Sequence, residues 1–335
     1  MSLRFIVWLV TARCNLSCAH CYASRFSGLR ELTTEEALAL IREASELGVA
    51  HINFTGGEPL LREDIVTLME EARDLAVGVS IVTNGTVVTE RVAERLARLN
   101  VYTYVSLDGP RREVHERLRG PGTWDRALRG IELLRRAGVD FSTVMAVCRH
   151  NAGCVGEYVA KAEELGAEAA CIIPVMPSGR ATESLAPSPR QMLEAVLEAD
   201  SASEELGYPV SVWCYAPAAL YSRSKYLVVY GCRTLSVVDV DPAGNLLICD
   251  VLDFRVSSWR ELGLRRAYEA YSSAEIVRSL VSPELREPCA SCPAASACRG
   301  GCFARAYLMS GDIKAPDPLC PRVAERRGQG RSATS

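Results

Sequence analysis

Short apolar runs recur along the first half of the chain, each followed by a longer stretch in which apolar residues return every three or four positions. The runs are "RFIVWLV" (4–10), "HINFTG" (51–56), "VSIVTN" (79–84), "VYTYVSLD" (101–108), "FSTVMAV" (141–147) and "AACIIPV" (169–175). Rich in β-branched residues and largely apolar on both faces, they predict strands buried on two sides, as in a parallel sheet. The stretches between them, such as "TTEEALALIREASELG" (33–48) and "WDRALRGIELLRRAG" (124–138), predict amphipathic helices, each stopped by a glycine. Six such units predict an α/β fold, a partial (β/α)6 TIM-like barrel with right-handed crossovers.

The pattern changes after the helical stretch at 188–207. "TLSVVDVDPAGNLLICDV" (234–251) predicts a β-hairpin around a Pro-Ala-Gly turn, two short helices follow around 259–280, and then cysteines crowd together. The expected division is a barrel over 1–207, a cysteine-rich domain over 208–325 and a disordered tail, "RRGQGRSATS", at the end, 326–335.

Composition narrows the function. Of 335 residues 48% are apolar and 24% charged, values of a folded soluble protein. A net charge of -3 gives no general attraction to nucleic acid or to an anionic membrane, so neither is an expected partner. The apolar run at 5–10 is too short for a signal-peptide core or for the roughly 20 residues of a membrane span, which points to the cytoplasm. Fourteen cysteines in that reducing compartment serve metals or catalysis rather than disulfides.

The first cysteines, Cys14, Cys18 and Cys21 in "CNLSCAHC", directly follow the first strand, at the sheet edge where barrel enzymes build their sites. A closed zinc or iron-sulfur site takes four protein ligands, so three thiols leave one metal position for another ligand, unless they are merely buried thiols or half of a zinc site. Three cysteines at this spacing, with the aromatic His20 before the third, resemble the motif of the radical S-adenosylmethionine (SAM) enzymes. The resemblance continues at successive strand ends in "TGGEPLLR" (55–62), "TNGT" (83–86) and "SLDGP" (106–110).

That resemblance implies a [4Fe-4S] cluster on Cys14, Cys18 and Cys21 with SAM on its unique iron, and reductive cleavage of SAM to a 5′-deoxyadenosyl radical that abstracts a hydrogen atom. It implies that Gly56 and Gly57 let the backbone approach the methionine end of SAM, with Glu58 and Pro59 holding the turn rigid. Asn84 joins the cofactor-binding set, Ser106 and Asp108 fall where the family binds ribose, and Arg119 suits the SAM carboxylate. His20 would pack on the cluster; His51, His115 and His150 read as structural.

The C-terminal block holds Cys232, Gly244, Cys249, Cys289, Cys292, Cys298, Cys302 and Cys320. Its CxxC spacing alone suits zinc. Beside the barrel motifs it resembles the SPASM extension, which implies two auxiliary [4Fe-4S] clusters: a distal one on Cys289, Cys292, Cys298 and Cys320 and a nearer one on Cys232, Cys249 and Cys302. Two closed clusters need eight thiols and the block has seven, so either Cys214 completes the nearer one or an iron there stays open. Asp250 matches the position of a proposed general base in sulfatase-maturating relatives. Cys148, Cys154 and Cys171 read as small buried apolar residues.

Auxiliary clusters suit a reaction whose substrate radical returns an electron, so the expected reaction is an oxidation started by hydrogen abstraction, with ferredoxin or flavodoxin as reductant. The favoured substrate is a peptide or protein side chain. The alternatives are a small molecule, such as a porphyrin decarboxylated in haem synthesis, and a non-enzymatic iron-sulfur or zinc protein, against which "TGGEPLLR" argues. A first strand at Phe5 leaves no room for an N-terminal peptide-recognition domain, which weakens a leader-peptide mechanism. "PVMPSGRA" (174–181) is expected to line the adenine or substrate side.

Overall fold

The computed structural model describes residues 2–332. Its strands are β1 (Phe5–Thr11), β2 (His51–Gly56), β3 (Gly78–Thr83), β4 (Tyr102–Ser106), β5 (Phe141–Val147), β6 (Ala170–Pro174), β7 (Val210–Trp213), β8 (Leu227–Tyr230), β9 (Val237–Val240), β10 (Asn245–Leu247) and β11 (Arg255–Ser258). The helices are α1 (Thr34–Glu46), α2 (Ile65–Asp74), α3 (Glu90–Arg98), α4 (Arg112–Arg119), α5 (Thr123–Ala137), α6 (Val155–Glu164), α7 (Pro189–Leu206), α8 (Trp259–Ser273), α9 (Glu275–Val281), α10 (Ala295–Cys298), α11 (Phe303–Ser310) and α12 (Pro321–Ser332).

All strands join one sheet in the order β11-β10-β9-β1-β2-β3-β4-β5-β6-β7-β8. From β1 to β8 every neighbour is parallel, as six buried strands joined by helices require. The sheet does not stop at Gly207. Strands β7 and β8 extend it beyond β6, while β9 pairs in parallel with the free side of β1 and antiparallel with β10, which in turn pairs antiparallel with β11. The C-terminal half therefore covers both edges that six strands alone would leave open, because an unpaired strand edge presents unsatisfied N–H and C=O groups.

Helix boundaries follow local chemistry. Thr33 and Glu36 form a capping box at the start of α1, and Ser188 with Gln191 does the same for α7, where Pro189 takes the first turn. Gly138 and Gly207 end α5 and α7 at positive φ, 75° and 63°. The sheet and these helices bury a common core that includes Ile6, Trp8, Phe54, Ile81, Val105 and Met145. The stretch expected to be a disordered tail, 326–335, is helical in α12 as far as Ser332, continuing a turn anchored by buried Val323; residues 333–335 lie outside the described residues. No described helix is long and apolar enough to cross a membrane.

The two halves are also joined through α1 and α8. Arg260 bonds the Glu36 carboxylate and the carbonyls of Arg30 and Glu31, and Glu43 accepts from Trp259 Nε1 at 3.1 Å and from the Leu264 amide at 2.5 Å. The hydrogen bond from Arg260 and the Thr33 amide hold Glu36 down at about 2, against an ordinary 4.5. A depressed carboxylate stabilises the fold above its unfolded pKa, and that contribution is lost as the pH falls from about 4.5 towards 2. Glu36→Gln is expected to lower unfolding free energy by about 1 kcal/mol at pH 7, a partly exposed pair being strongly screened, and the difference from the parent should vanish near pH 2 in urea titrations.

Candidate active site at the carboxyl edge of the sheet

Cys14, Cys18 and Cys21 lie on the loop after β1, and this loop is tied down by its backbone. Thr11 Oγ1 receives the Arg13 amide at 3.0 Å, the Ala19 amide reaches Leu118 O at 2.8 Å, and Arg180 donates from Nε to Cys18 O and from its amide to Cys21 O at 2.9 and 3.0 Å. The neighbouring Gly179 has φ 62°, and a Cβ there would overlap the Cys21 carbonyl. The segment 174–181, expected on the adenine or substrate side, thus makes its polar contacts with the cysteine loop itself. Burial raises the thiols of Cys14 and Cys18, so in the metal-free chain they stay protonated and metal binding must release protons.

The Gly-Gly-Glu turn locks the other side of this loop. The Gly57 amide donates to Thr11 O and the Glu58 amide to Arg13 O, both at 2.8 Å. A Cβ on Gly56 would overlap Thr11 O, and one on Gly57 would overlap Arg13 O, so the structure gives both glycines a role in strand-to-loop packing. Glu58 is fully buried and accepts from the Asn84 amide (2.7 Å), Thr83 Oγ1 (2.8 Å) and the Leu60 amide (3.1 Å). Burial nevertheless pushes its carboxyl up to about 7. Pro59 begins the single helical turn that follows. Asn84 reaches back, its Nδ2 at 2.9 Å from Asn15 Oδ1 and 3.8 Å from Cys14 Sγ. Arg62 is buried beneath, bonding Val10 O, Leu32 O and Asp64.

Ser106 ends β4 almost buried, and Asp108 just beyond it is wholly buried. One Asp108 oxygen accepts from Arg119 Nε at 2.6 Å and faces His20 Nε2 at 3.4 Å; the other accepts the Ala146 amide at 2.8 Å. Asp108, placed by resemblance on the ribose, thus has both oxygens engaged inside the protein. Arg119 is held by its Nε alone, and among the described residues its two Nη nitrogens carry no hydrogen bond. His20 Nδ1 is buried without a partner, and burial pulls His20 and His115 down to about 4, leaving both rings neutral at pH 7. Three thiols, an open guanidinium fork and an unsatisfied imidazole nitrogen are donors that fit a cluster with an anionic, polar co-substrate on it.

The C-terminal thiols gather in two sets. Cys289, Cys292, Cys298 and Cys320 line one cavity with Pro217 and Asp317, whereas Cys214, Cys232 and Cys302 line a second, which Cys298 also borders. Cys249 belongs with the second set, since its thiol is raised by burial and then by Asp250, Asp239, Cys302 and Cys232 in turn. Cys214, at φ 53°, faces Cys232 and Cys302, so the eighth thiol stands with the nearer three. Burial pushes Cys298 up to about 12 and Cys289 to about 11. Cys148 and Cys171 are buried and Cys154 half-buried, all away from these sets.

Two further features escaped the sequence reading. Arg305 and Asp317 form a fully buried bidentate pair at 2.9 and 2.6 Å; Asp317 also accepts the amides of Cys302 and Leu319, and Arg305 bonds Cys214 O. The pair therefore holds backbone from both thiol sets. Its one sequence signal is an arginine in the otherwise apolar helix α11. The second feature is a carboxylate pair: Asp239 of β9 accepts the Asp250 amide at 2.8 Å, and the ligand atoms of Asp239, Cys249 and Asp250 lie within 4.8 Å of one another. Arg25, four residues after Cys21, donates from Nη1 to the Val251 carbonyl at 3.0 Å and so ties the end of the three-thiol loop to the residue after Asp250.

Three thiols can hold only three irons of a four-iron cube, so the site is that of an enzyme whose iron-sulfur centre takes its co-substrate directly on metal, the SAM-dependent radical class. Residues 8–160 match the radical SAM superfamily, and the chain belongs to it, carrying a SPASM-type cysteine-rich region and using SAM with a [4Fe-4S] cluster. It is 31% identical to the AdoMet-dependent heme synthase of Methanosarcina barkeri over 95% of this chain and 96% of that one. It is 32% identical to the mycofactocin maturase MftC of Mycobacterium ulcerans over 96% of this chain and 90% of that one. The structure of native anSMEcpe with bound AdoMet and Cp18Cys peptide has the same fold, with a TM-score of 0.78 at 20% identity over 99% of both chains.

Gly57→Ala should force the Arg13 carbonyl aside, cost about 1–3 kcal/mol and lower iron by about four per chain after anaerobic reconstitution, measured by iron and sulfide assay. Asp317→Asn leaves Arg305 buried without its charge partner; a loss of about 3–5 kcal/mol is expected in denaturant unfolding of the metal-free chain.

Proposed function

We propose that this chain is a cytoplasmic maturase that oxidises a side chain of a peptide or protein, supplied with electrons by a reductant such as ferredoxin or flavodoxin. In the bound state SAM on the [4Fe-4S] cluster supplies a 5′-deoxyadenosyl radical. Cys14, Cys18 and Cys21 hold the cluster, and Asn84 steadies the Cys14 side. The free Nη nitrogens of Arg119 take the SAM carboxylate, and the turn of Gly56, Gly57, Glu58 and Pro59 with Ser106 shapes the cleft. Asp108 acts by aiming Arg119 and His20. The two four-thiol sets, with Cys214 in the nearer, hold auxiliary clusters.

The reaction balances as an oxidation. Bound SAM would take up one electron and split into methionine and a 5′-deoxyadenosyl radical; that radical would become 5′-deoxyadenosine by taking a hydrogen atom from the substrate, and the substrate radical left behind would release one proton and one electron. Asp250 takes the proton. Burial raises both Asp239 and Asp250, and repulsion from Asp250 raises Asp239 further. The observation that carries the reading is the place of the Asp250 carboxylate, 3.8 Å from Cys249 Sγ of the nearer thiol set, on a segment whose Val251 carbonyl accepts from Arg25 just after the three-thiol loop.

A peptide substrate is supported by the resemblance to a maturase and by the end of the sheet. Among the described residues β8 pairs only with β7, its Val228 and Tyr230 are exposed, and it ends just before Cys232. An extended chain can add to such an edge. The second reading, oxidative decarboxylation of a porphyrin, is favoured by the heme synthase relative, which matches along nearly its whole length.

Reconstituted protein should bind about twelve irons per chain; about four, with zinc in the C-terminal sets, would overturn the auxiliary-cluster reading. With SAM, reductant and a candidate peptide, mass spectrometry should find 5′-deoxyadenosine and a peptide lighter by two hydrogen atoms, whereas turnover of an iron porphyrin with release of CO2 would establish the second reading. Asp250→Asn should leave 5′-deoxyadenosine formation near the parent level and lower oxidised product about 100- to 10,000-fold; equal losses of both would exclude the base role.

A further inference from the structure

Arg233 stands between the two thiol sets. It directly follows Cys232, is only 7% exposed, and lines the cavity bordered by Cys214, Cys232, Cys302 and, from the distal set, Cys298. Its Nε donates to Gly301 O at 3.0 Å and its Nη1 to Leu280 O at 2.7 Å, with the guanidinium over the Phe303 ring. Among the described residues no carboxylate pairs with it, whereas Arg62, Arg119 and Arg305 each have an aspartate. A second guanidinium, Arg299, borders the same cavity and donates to the carbonyls of Arg233 and Val281, again with no acidic partner. Two cations side by side, one buried and one half-buried, without an acid, are unfavourable unless other negative charge is close.

We propose that Arg233 is the shared counter-cation of the two thiol sets, a positioning residue whose charge favours the thiolates that metal binding requires and the extra negative charge of the one-electron reduced state. The proposal rests on the reading that both sets hold iron-sulfur clusters. Protein charge near a cluster raises or lowers its potential directly, and a fixed cation favours the reduced form. Because Arg233 borders a cavity lined by thiols of both sets, it acts on both centres at once.

The test uses the full chain with Cys14, Cys18 and Cys21 replaced by Ala, so that every signal comes from the C-terminal thiols. It compares this parent with Arg233→Gln and Arg233→Lys by iron and zinc analysis and by redox titration followed by electron paramagnetic resonance. The parent should hold about eight irons. Arg233→Gln should lower the ratio of reduced to oxidised centre at a fixed potential about tenfold, a shift of about 59 mV to more negative potential. Arg233→Lys, which keeps the charge but not the fork, should stay within about threefold of the parent. Loss of iron in Arg233→Gln with retention in Arg233→Lys would also support the charge role. Unchanged potentials in a fully loaded Arg233→Gln, equal shifts in both variants, or loss of iron from both would overturn the proposal while leaving the cluster reading intact. Zinc in the parent would overturn both.

Discussion

Strand β1 is hydrogen-bonded on both sides, in parallel to β2 and in parallel to β9, and the whole site depends on that double pairing. On one side, β2 delivers the Gly-Gly-Glu turn to the carbonyls of Thr11 and Arg13, so that the three-thiol loop leaves the sheet in one conformation. On the other, β9 places Asp239, and through β10 the Cys249–Asp250 segment, beside the same loop. A slip of β9 by a single residue would turn Asp239 to the opposite face and break its bond to the Asp250 amide. The register of one ladder thus sets the spacing between two centres that lie far apart in sequence.

The polar interior follows a consistent rule. Arg62, Arg119 and Arg305 are buried with aspartates, and the pairs at Arg62 and Arg305 also grip backbone carbonyls. Buried ion pairs contribute little net stability because desolvation offsets their attraction. What they contribute here is position: Val10, Leu32 and Cys214 are each held by a guanidinium that has no other low-energy place to go. Cys18 and Cys298 obey the opposite rule, being raised by burial and left neutral until metal arrives, so that assembly of the centres and ordering of the loops are coupled.

Much of the barrel was legible. The limits read for the second and fifth strands coincide with β2 and β5, because runs of buried β-branched residues carry a strong local signal. The hairpin and the two helices after it were legible for the same reason. Strands β7 and β8 were not: each has only four residues, and Val228 and Tyr230 of β8 point to solvent, so that no buried run marks it. Helix α12 was hidden by a polar, glycine-containing stretch whose composition resembles disorder.

The linear chain by itself determined the chemistry: three thiols at one loop, a Gly-Gly-Glu turn after the next strand and a block of further cysteines, all written in short contiguous motifs whose side chains must act together locally. Only the tertiary structure decided which distant groups share a space. It brought Cys214 to Cys302, paired Arg305 with Asp317, turned Asp108 inward to hold Arg119 and left Arg233 among thiols. None of these has a spacing to recognise, because each arises where strands and loops remote in sequence are packed at one sheet edge, and their partners follow from register and burial rather than from neighbouring residues.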